Sequence, residues 1–344
     1  MLSKLRRFIS PELKERILNS LIFRLYFRFI NRSKEIRFSV EVTTKCNINC
    51  AMCTRMEMLK KGKLVVKEMD PEIIEKIIDE MDKFIKNGYK VTFVPMGLGE
   101  PLLYSELKNV IEKVRQVSEK IKIILVTNGV CLTQEVANDL VKLKVNEISV
   151  SLNVNNASDY KKYMRADNYP KIKKNIENLI KIRNESGFEI PSIYIQYLDY
   201  LNSGNKFNKN IKNWTKIMKY DDKCYVHPIV NQAGFKDNGL EESRVEDFPC
   251  NSPLTRVAIR INGDIYPCDA CFYGGSQRVS ELYLGNVKKE SIFNIFNNKK
   301  SKNFRIIEMM KNCDYSKLPT CKKCDTYKLG VNCFFKNPIT KRWM

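Results

Sequence analysis

Cys46, Cys50 and Cys53 fall within eight positions of the stretch TTKCNINCAMC, and the next cysteine is Cys131. A closed structural metal site takes four protein ligands, and this loop supplies three. Three thiolates can hold three irons of a [4Fe–4S] cube, one cysteine to each iron, leaving the fourth iron open to a substrate or cofactor. The bland alternative is a closed structural site completed by a distant thiol such as Cys131.

Seven of the twelve cysteines lie between residues 250 and 333. Lys and Arg recur through residues 4–37 where a secretory signal would carry a clean apolar stretch. The cysteines therefore read as metal-binding thiols of a reducing, cytoplasmic compartment, not as a disulfide framework. The one histidine, His227, excludes histidine-rich metal sites and HExxH proteases. Cys268 and Cys271 with Cys321 and Cys324 spell a Cys₄ zinc site, but the 49 residues between the pairs exceed the spacing of a zinc ribbon. Cys131 and Cys224 read as buried core thiols.

Sixty Lys and Arg against 39 Asp and Glu give a net charge of +21. Such a chain attracts anionic partners, or simply carries many solvated lysine faces. No RNP, KH or zinc-finger pattern accompanies the charge, which makes nucleic acid the weaker partner. No run of eighteen apolar residues occurs, so a spanning helix is not expected.

The elements that position the cysteines follow from periodicity. Over residues 1–36, Leu13, Ile17, Leu21, Leu25 and Phe29 recur every four residues among Arg and Lys. This is a basic amphipathic helix, suited to a membrane surface or to packing on the protein's own body. From residue 37 short apolar runs alternate with helical stretches: RFSVEVT (37–43), KVTFVPM (90–96), IKIILVTNG (121–129), VNEISVSLNV (145–154), PSIYIQYLDY and KCYVHPI. One helix shows its signals plainly, with Asp70 as N-cap, Pro71 at N1 and a Gly88 stop. A second is opened by Ser105. Six strand–helix units imply a parallel sheet, either doubly wound or an incomplete barrel short of the eight units that close one. The cysteine loop follows the first strand, at the end where parallel α/β folds place their chemistry. After about residue 240 the chain turns into a small, Cys-, Gly- and Asn-rich module held by metal more than by apolar area.

The C-x₃-C-x₂-C loop after a first strand, GLGEP after the second, then VTNG and ISVSLN, resemble the radical S-adenosylmethionine (SAM) superfamily over roughly residues 37–235. The resemblance implies a partial (β/α)₆ barrel in which SAM chelates the open iron and yields a 5′-deoxyadenosyl radical. It places Gly97, Leu98, Gly99 and Glu100 at the SAM amino group, Asn128 and Ser151 near the ribose, and Arg165 at the SAM carboxylate. The backbone of Met52 would meet adenine. Asn153 stands where an acidic residue is common.

Cys250, twelve residues, Gly263, four residues and Cys268, with CKKC at 321–324, are similar to the SPASM/twitch extension of these enzymes. The matching ligands are Cys250, Cys268, Cys321 and Cys324, enough for one auxiliary [4Fe–4S] cluster. The run that would ligate a second is missing, which favours the one-cluster form. Cys271, Cys313 and Cys333 are spare, and an irregular second cluster could be built from them. The domains expected are an N-terminal extension (1–36), a radical SAM core (37–240) and an auxiliary-cluster domain (241–344).

The resemblance implies an oxidoreductase acting on a peptide or protein, fed by an electron donor such as ferredoxin or flavodoxin. A small metabolite, or a lipid or cell-envelope precursor met at the membrane through residues 1–36, is the alternative substrate.

Overall fold

The structure, a computed structural model, describes residues 34–199, 208–235, 250, 252–312 and 314–324. The amphipathic helix expected over residues 1–36 lies outside the described residues but for its last three positions, and so do Cys313 and Cys333.

β1 (Glu35–Val40) runs into the cysteine loop and the short helix α1 (Arg55–Lys60). There follow α2 (Pro71–Lys86), β2 (Lys90–Pro95), α3 (Leu107–Val117), β3 (Lys122–Thr127), α4 (Gln134–Lys142) and β4 (Glu147–Asn153). Helices α5 (Ala157–Met164) and α6 (Tyr169–Glu185) lead to β5 (Ser192–Asp199), α7 (Asn208–Thr215) and β6 (Lys223–Pro228). The six strands are ordered β6-β5-β4-β3-β2-β1, every neighbouring pair parallel. This is the sheet of a partial (β/α)₆ barrel.

Helix α2 begins and ends on its sequence signals. The Asp70 carboxylate accepts from Glu72 N at 3.0 Å, Pro71 opens the helix, and Gly88 turns the chain at φ +80°. Ser105 does not open α3. Its hydroxyl donates to Glu68 at 2.7 Å, and Glu106 holds the cap position after a 3₁₀ turn at Pro101–Leu103.

Alternation along the strands sorts their two faces. Ile36, Phe38 and Val40 of β1 pack against Ile73, Ile77, Met81 and Phe84 of α2, and Ile148, Val150, Ile193 and Ile195 join the same core. The opposite face looks into the barrel and is largely polar: Arg37 and Ser39 on β1, Ser149 and Ser151 on β4, Gln196 on β5, Tyr225 and His227 on β6. Ser149 Oγ and Tyr225 OH meet at 2.6 Å there. Each strand thus reads as an apolar run broken by polar residues that face the barrel interior and are buried or half-buried there.

The C-terminal segment continues this sheet. After α8 (Ser252–Thr255), β7 (Arg256–Ile259) pairs parallel with β1, and β8 (Asp264–Tyr266) turns back antiparallel on β7. Beyond α9 (Ala270–Tyr273), β9 (Gly285–Asn286) completes a nine-stranded order ending β1-β7-β8-β9. Helices α10 (Ile292–Asn297), α11 (Lys302–Lys311) and α12 (Pro319–Lys323) complete the segment. Phe84 makes edge-to-face contacts with Phe38 at 5.4 Å and Phe293 at 5.1 Å. The buried Glu80 carboxylate accepts from Ser291 Oγ at 3.0 Å and Phe293 N at 2.8 Å, tying α10 to α2.

Two buried groups give stability tests. Arg183 at the end of α6 makes a bidentate pair with Asp222 at 2.8 and 2.5 Å, both side chains fully buried, and Asp222 also accepts from Ile193 N at 2.7 Å. Removing one partner strands the other charge, so Asp222→Asn should cost about 3–5 kcal/mol in urea unfolding. Burial pushes His227 down to about 4, and its buried Nδ1 has no partner among the described residues. Between its unfolded pKa near 6.5 and the folded value, only the unfolded chain takes the proton. Stability present above about pH 6.5 should therefore fall by roughly 3 kcal/mol as the pH drops to about 4. His227→Gln should flatten that slope in urea midpoints measured against pH; an unchanged slope would place His227 in solvent.

Candidate metal centres

The loop after β1 is held open over the strand ends by its own backbone partners. Thr44 N donates to Lys67 O at 3.0 Å, and Thr44 Oγ1 donates to Val65 O at 2.7 Å. Arg55, buried, donates from Nε to Thr44 O at 2.9 Å, and Ala51 N donates to Tyr163 O of α5 at 2.8 Å. Cys46, Cys50 and Cys53 consequently line one cavity of about 210 Å³.

The far wall of that cavity is Gly97, Leu98, Gly99, Glu100, Asn128, Ser151 and Asn153. Gly99 is required by close approach. A Cβ there would lie 2.1 Å from Thr43 O and 2.8 Å from Lys45 O, both backbone atoms that cannot yield. At Gly97 a Cβ would lie 2.6 Å from Cγ of Glu41. These glycines bring the two loops together.

Glu100 is buried and already holds the wall. Its carboxylate accepts from Leu102 N at 3.1 Å, Thr127 Oγ1 at 2.6 Å and Asn128 N at 2.8 Å. Burial raises its pKa and these three donors oppose the rise. A carboxylate has about four acceptor positions, so about one is left. Asn128 donates to Asn47 Oδ1 at 2.7 Å, joining the end of β3 to the cysteine loop. Arg165 is exposed at the end of α5, at φ +54°, and its charge reaches Cys50. Met52 packs on the core and is not part of the cavity wall; Met56 and Met96 are. Asn153 lines the wall at φ +66° with Oδ1 buried and unpartnered among the described residues.

The donor set fits a metal cluster. Burial pushes the Cys50 thiol up to about 12, and the nearby Cys53 and Cys46 push in the same direction. Cys46 is raised by burial, with Glu100 and Cys53 adding to it. Three thiolates so placed require a cation to ionise together. Cys131 is half-buried beside this loop, where Asn47 Nδ2 donates to its sulfur at 3.2 Å, so it is not the buried core thiol expected; Cys224 is half-buried and packs on the main core. A proximity of residues 47 and 131 leaves no signal in spacing.

A second cavity, of about 180 Å³, is lined by Cys250, Cys268, Cys321 and Cys324. Cys271 is fully buried in a core with Ala258, Tyr266 and Phe272 and does not line this cavity. The zinc set that needs Cys271 beside Cys268 is therefore not assembled. Among the described residues no group of His, Cys, Asp or Glu has the geometry for a single metal ion. Met96 lines both cavities, while Tyr273 lines the second and packs beside Cys53 and Leu98 at the first. Arg37, Arg256 and Asp269 also line the second cavity; nothing in their sequence spacing marks them.

Residues 40–198 match the model of the radical SAM superfamily, and residues 250–325 match that of the SPASM iron–sulfur cluster-binding domain. The chain belongs to the radical SAM superfamily and is an enzyme with a C-terminal SPASM domain; the two imply [4Fe–4S] clusters and SAM. It is 26% identical over 298 residues to the tungsten-containing aldehyde ferredoxin oxidoreductase cofactor-modifying protein of Pyrococcus furiosus, covering 75% of this chain and 79% of that one. It is 32% identical over 154 residues to a probable GTP 3′,8-cyclase of Methanococcus maripaludis, covering 43% of this chain and 47% of that one, about half the relative's length. The fold is shared with BtrN in complex with AdoMet and 2-DOIA (TM-score 0.57, 17% identity, 88% of this chain and 96% of that one). It is shared equally with Streptococcus suis SuiB bound to precursor peptide SuiA (TM-score 0.57, 15% identity, 97% and 82%).

Gly99→Ala drives a methyl group into Thr43 O. It should cost more than about 3 kcal/mol in urea unfolding and lower the iron content after anaerobic reconstitution. Wild-type stability and iron in this variant would show that the two loops do not need their contact.

Proposed function

We propose that the protein cleaves SAM reductively at the three-cysteine cavity and uses the resulting radical for oxidative modification of a peptide or protein. The observation that carries this reading is the shared cavity: three thiols, and among the described residues no fourth cysteine on its wall, facing Gly97–Glu100, Asn128 and Ser151. Cys46, Cys50 and Cys53 would hold a [4Fe–4S] cluster, which when reduced would supply the one electron needed to break the carbon–sulfur bond of the sulfonium.

The chain's own residues bind and orient. The remaining acceptor position of Glu100 takes the SAM ammonium, together with backbone carbonyls of Gly97–Gly99. Arg165, beyond Cys50, takes the carboxylate by a charge-assisted pair. Asn128, Ser151 and the unpartnered Oδ1 of Asn153 take ribose hydroxyls. Cys250, Cys268, Cys321 and Cys324 close an auxiliary cluster with four protein ligands.

The peptide class is supported by the barrel interior. Ser149, Gln196, Tyr225 and His227 present hydrogen-bonding groups, which match amides and carbonyls and penalise a hydrocarbon chain. SuiB, of the same fold, is bound to a precursor peptide. A small polar metabolite is the second reading, favoured by the cofactor-modifying protein of Pyrococcus furiosus. The electron donor in this scheme is a ferredoxin or flavodoxin of the cytoplasm. No helix among the described residues is long and apolar enough to cross a membrane.

Anaerobic reconstitution should give about eight irons, four to each cluster, and 5′-deoxyadenosine on adding SAM and dithionite. Cys53→Ala should keep about four irons and form no 5′-deoxyadenosine. A wild-type chain that binds zinc instead, or a variant that still cleaves SAM, would overturn the proposal.

A further inference from the structure

The wall of the second cavity carries more positive charge than its own carboxylate can balance. Arg37 of β1 and Arg256 of β7 stand directly opposite each other on neighbouring strands, and both line the cavity with the four cysteines. Asp269 matches Arg256 at 2.5 Å. Asp269 is the one carboxylate lining this cavity among the described residues.

The hydrogen-bond partners of Arg37 are neutral, Nε donating to Ser39 Oγ at 3.2 Å and Nη2 to Met96 Sδ at 2.9 Å, and it shares the charge of Asp269 with Arg256. Glu147, the other carboxylate that senses it, is paired with Lys122 at 2.9 Å. Burial first, and Arg256 second, push Arg37 down to about 10, so it stays charged at neutral pH. Like charges opposite one another on adjacent strands are destabilising, and here two guanidinium groups share the one carboxylate of Asp269. An anion in the cavity would offset the excess positive charge. A four-thiolate [4Fe–4S] centre supplies one, with a net charge of about −2 that becomes about −3 on reduction.

We propose that Arg37 and Arg256 are positioning residues for the auxiliary cluster, fixed cations that hold it in the cavity and raise its reduction potential. This rests on reading Cys250, Cys268, Cys321 and Cys324 as its ligands. The effect falls on the wall shared with the first cavity, because Arg37 donates to Met96, which lines both. Positive charge favours the reduced cluster electrostatically, since reduction adds one negative charge next to it.

The test is an anaerobic redox titration of the reconstituted full chain followed by electron paramagnetic resonance. Added SAM marks the first cluster, whose signal it perturbs, and leaves the auxiliary signal identifiable. Arg37→Met and Arg256→Met should each make auxiliary reduction at least tenfold less favourable, a downward shift of about 59 mV for one electron. Arg37→Lys should restore the wild-type potential, and Asp269→Asn should shift it upward. An Arg37→Met protein that loses auxiliary iron while Arg37→Lys keeps it supports the charge requirement equally. Loss of that iron in both, an unchanged midpoint with full iron, or a downward shift in Asp269→Asn overturns it. A wild-type chain with only about four irons, by contrast, removes the ligand assignment itself.

Discussion

Thiols that ionise side by side in a buried cavity repel one another, and a cation placed among Cys46, Cys50 and Cys53 would relieve that repulsion. Burial and neighbouring sulfurs both work against ionisation of Cys50. The polypeptide can hold such a set only by fixing the loop from outside. Thr44, Arg55 and Ala51 do so through backbone bonds to residues 65–67, to Thr44 O and to Tyr163. The three sulfurs are thereby left lining one cavity.

The same constraint explains the glycines and Glu100. Cysteine loop and Gly97–Glu100 loop must touch, and at Gly99 they approach closer than any side chain permits. Glu100 then braces this contact from behind through Thr127 and Asn128, on the next strand end. Parallel strands put all these ends on one edge of the sheet, which is why loops distant in sequence form one wall.

The two cysteine sets belong to one sheet. β7 pairs with β1, the strand that delivers the first cysteine loop. Buried Glu41, at the end of β1, accepts from Leu98 N at 3.3 Å and from Ile261 N at 3.2 Å. One carboxylate therefore connects the Gly97–Glu100 loop to the hairpin of β7 and β8. Met96 borders both cavities, and Tyr273 lines the second while packing beside Cys53 and Leu98.

Local patterns in the chain were enough to establish the parallel strand–helix alternation, the limits of α2 and the three-thiol loop. Each depends on residues a few positions apart: strand and helix periods, the Asp70–Pro71 cap, the C-x₃-C-x₂-C spacing. Tertiary structure alone decided the remainder. It turned Cys271 into the core and brought Cys250 to Cys324 across more than seventy residues. It set Asn47 beside Cys131, gave Ser105 to Glu68 in place of a helix cap, and paired Arg37 with Arg256 across β1 and β7. It also showed that the polar residues of the strands face a barrel interior. Spacing reports only the geometry of one short stretch of backbone, whereas which thiol, carboxylate or guanidinium converges on a cavity depends on strand order and packing between segments that carry no mark of one another.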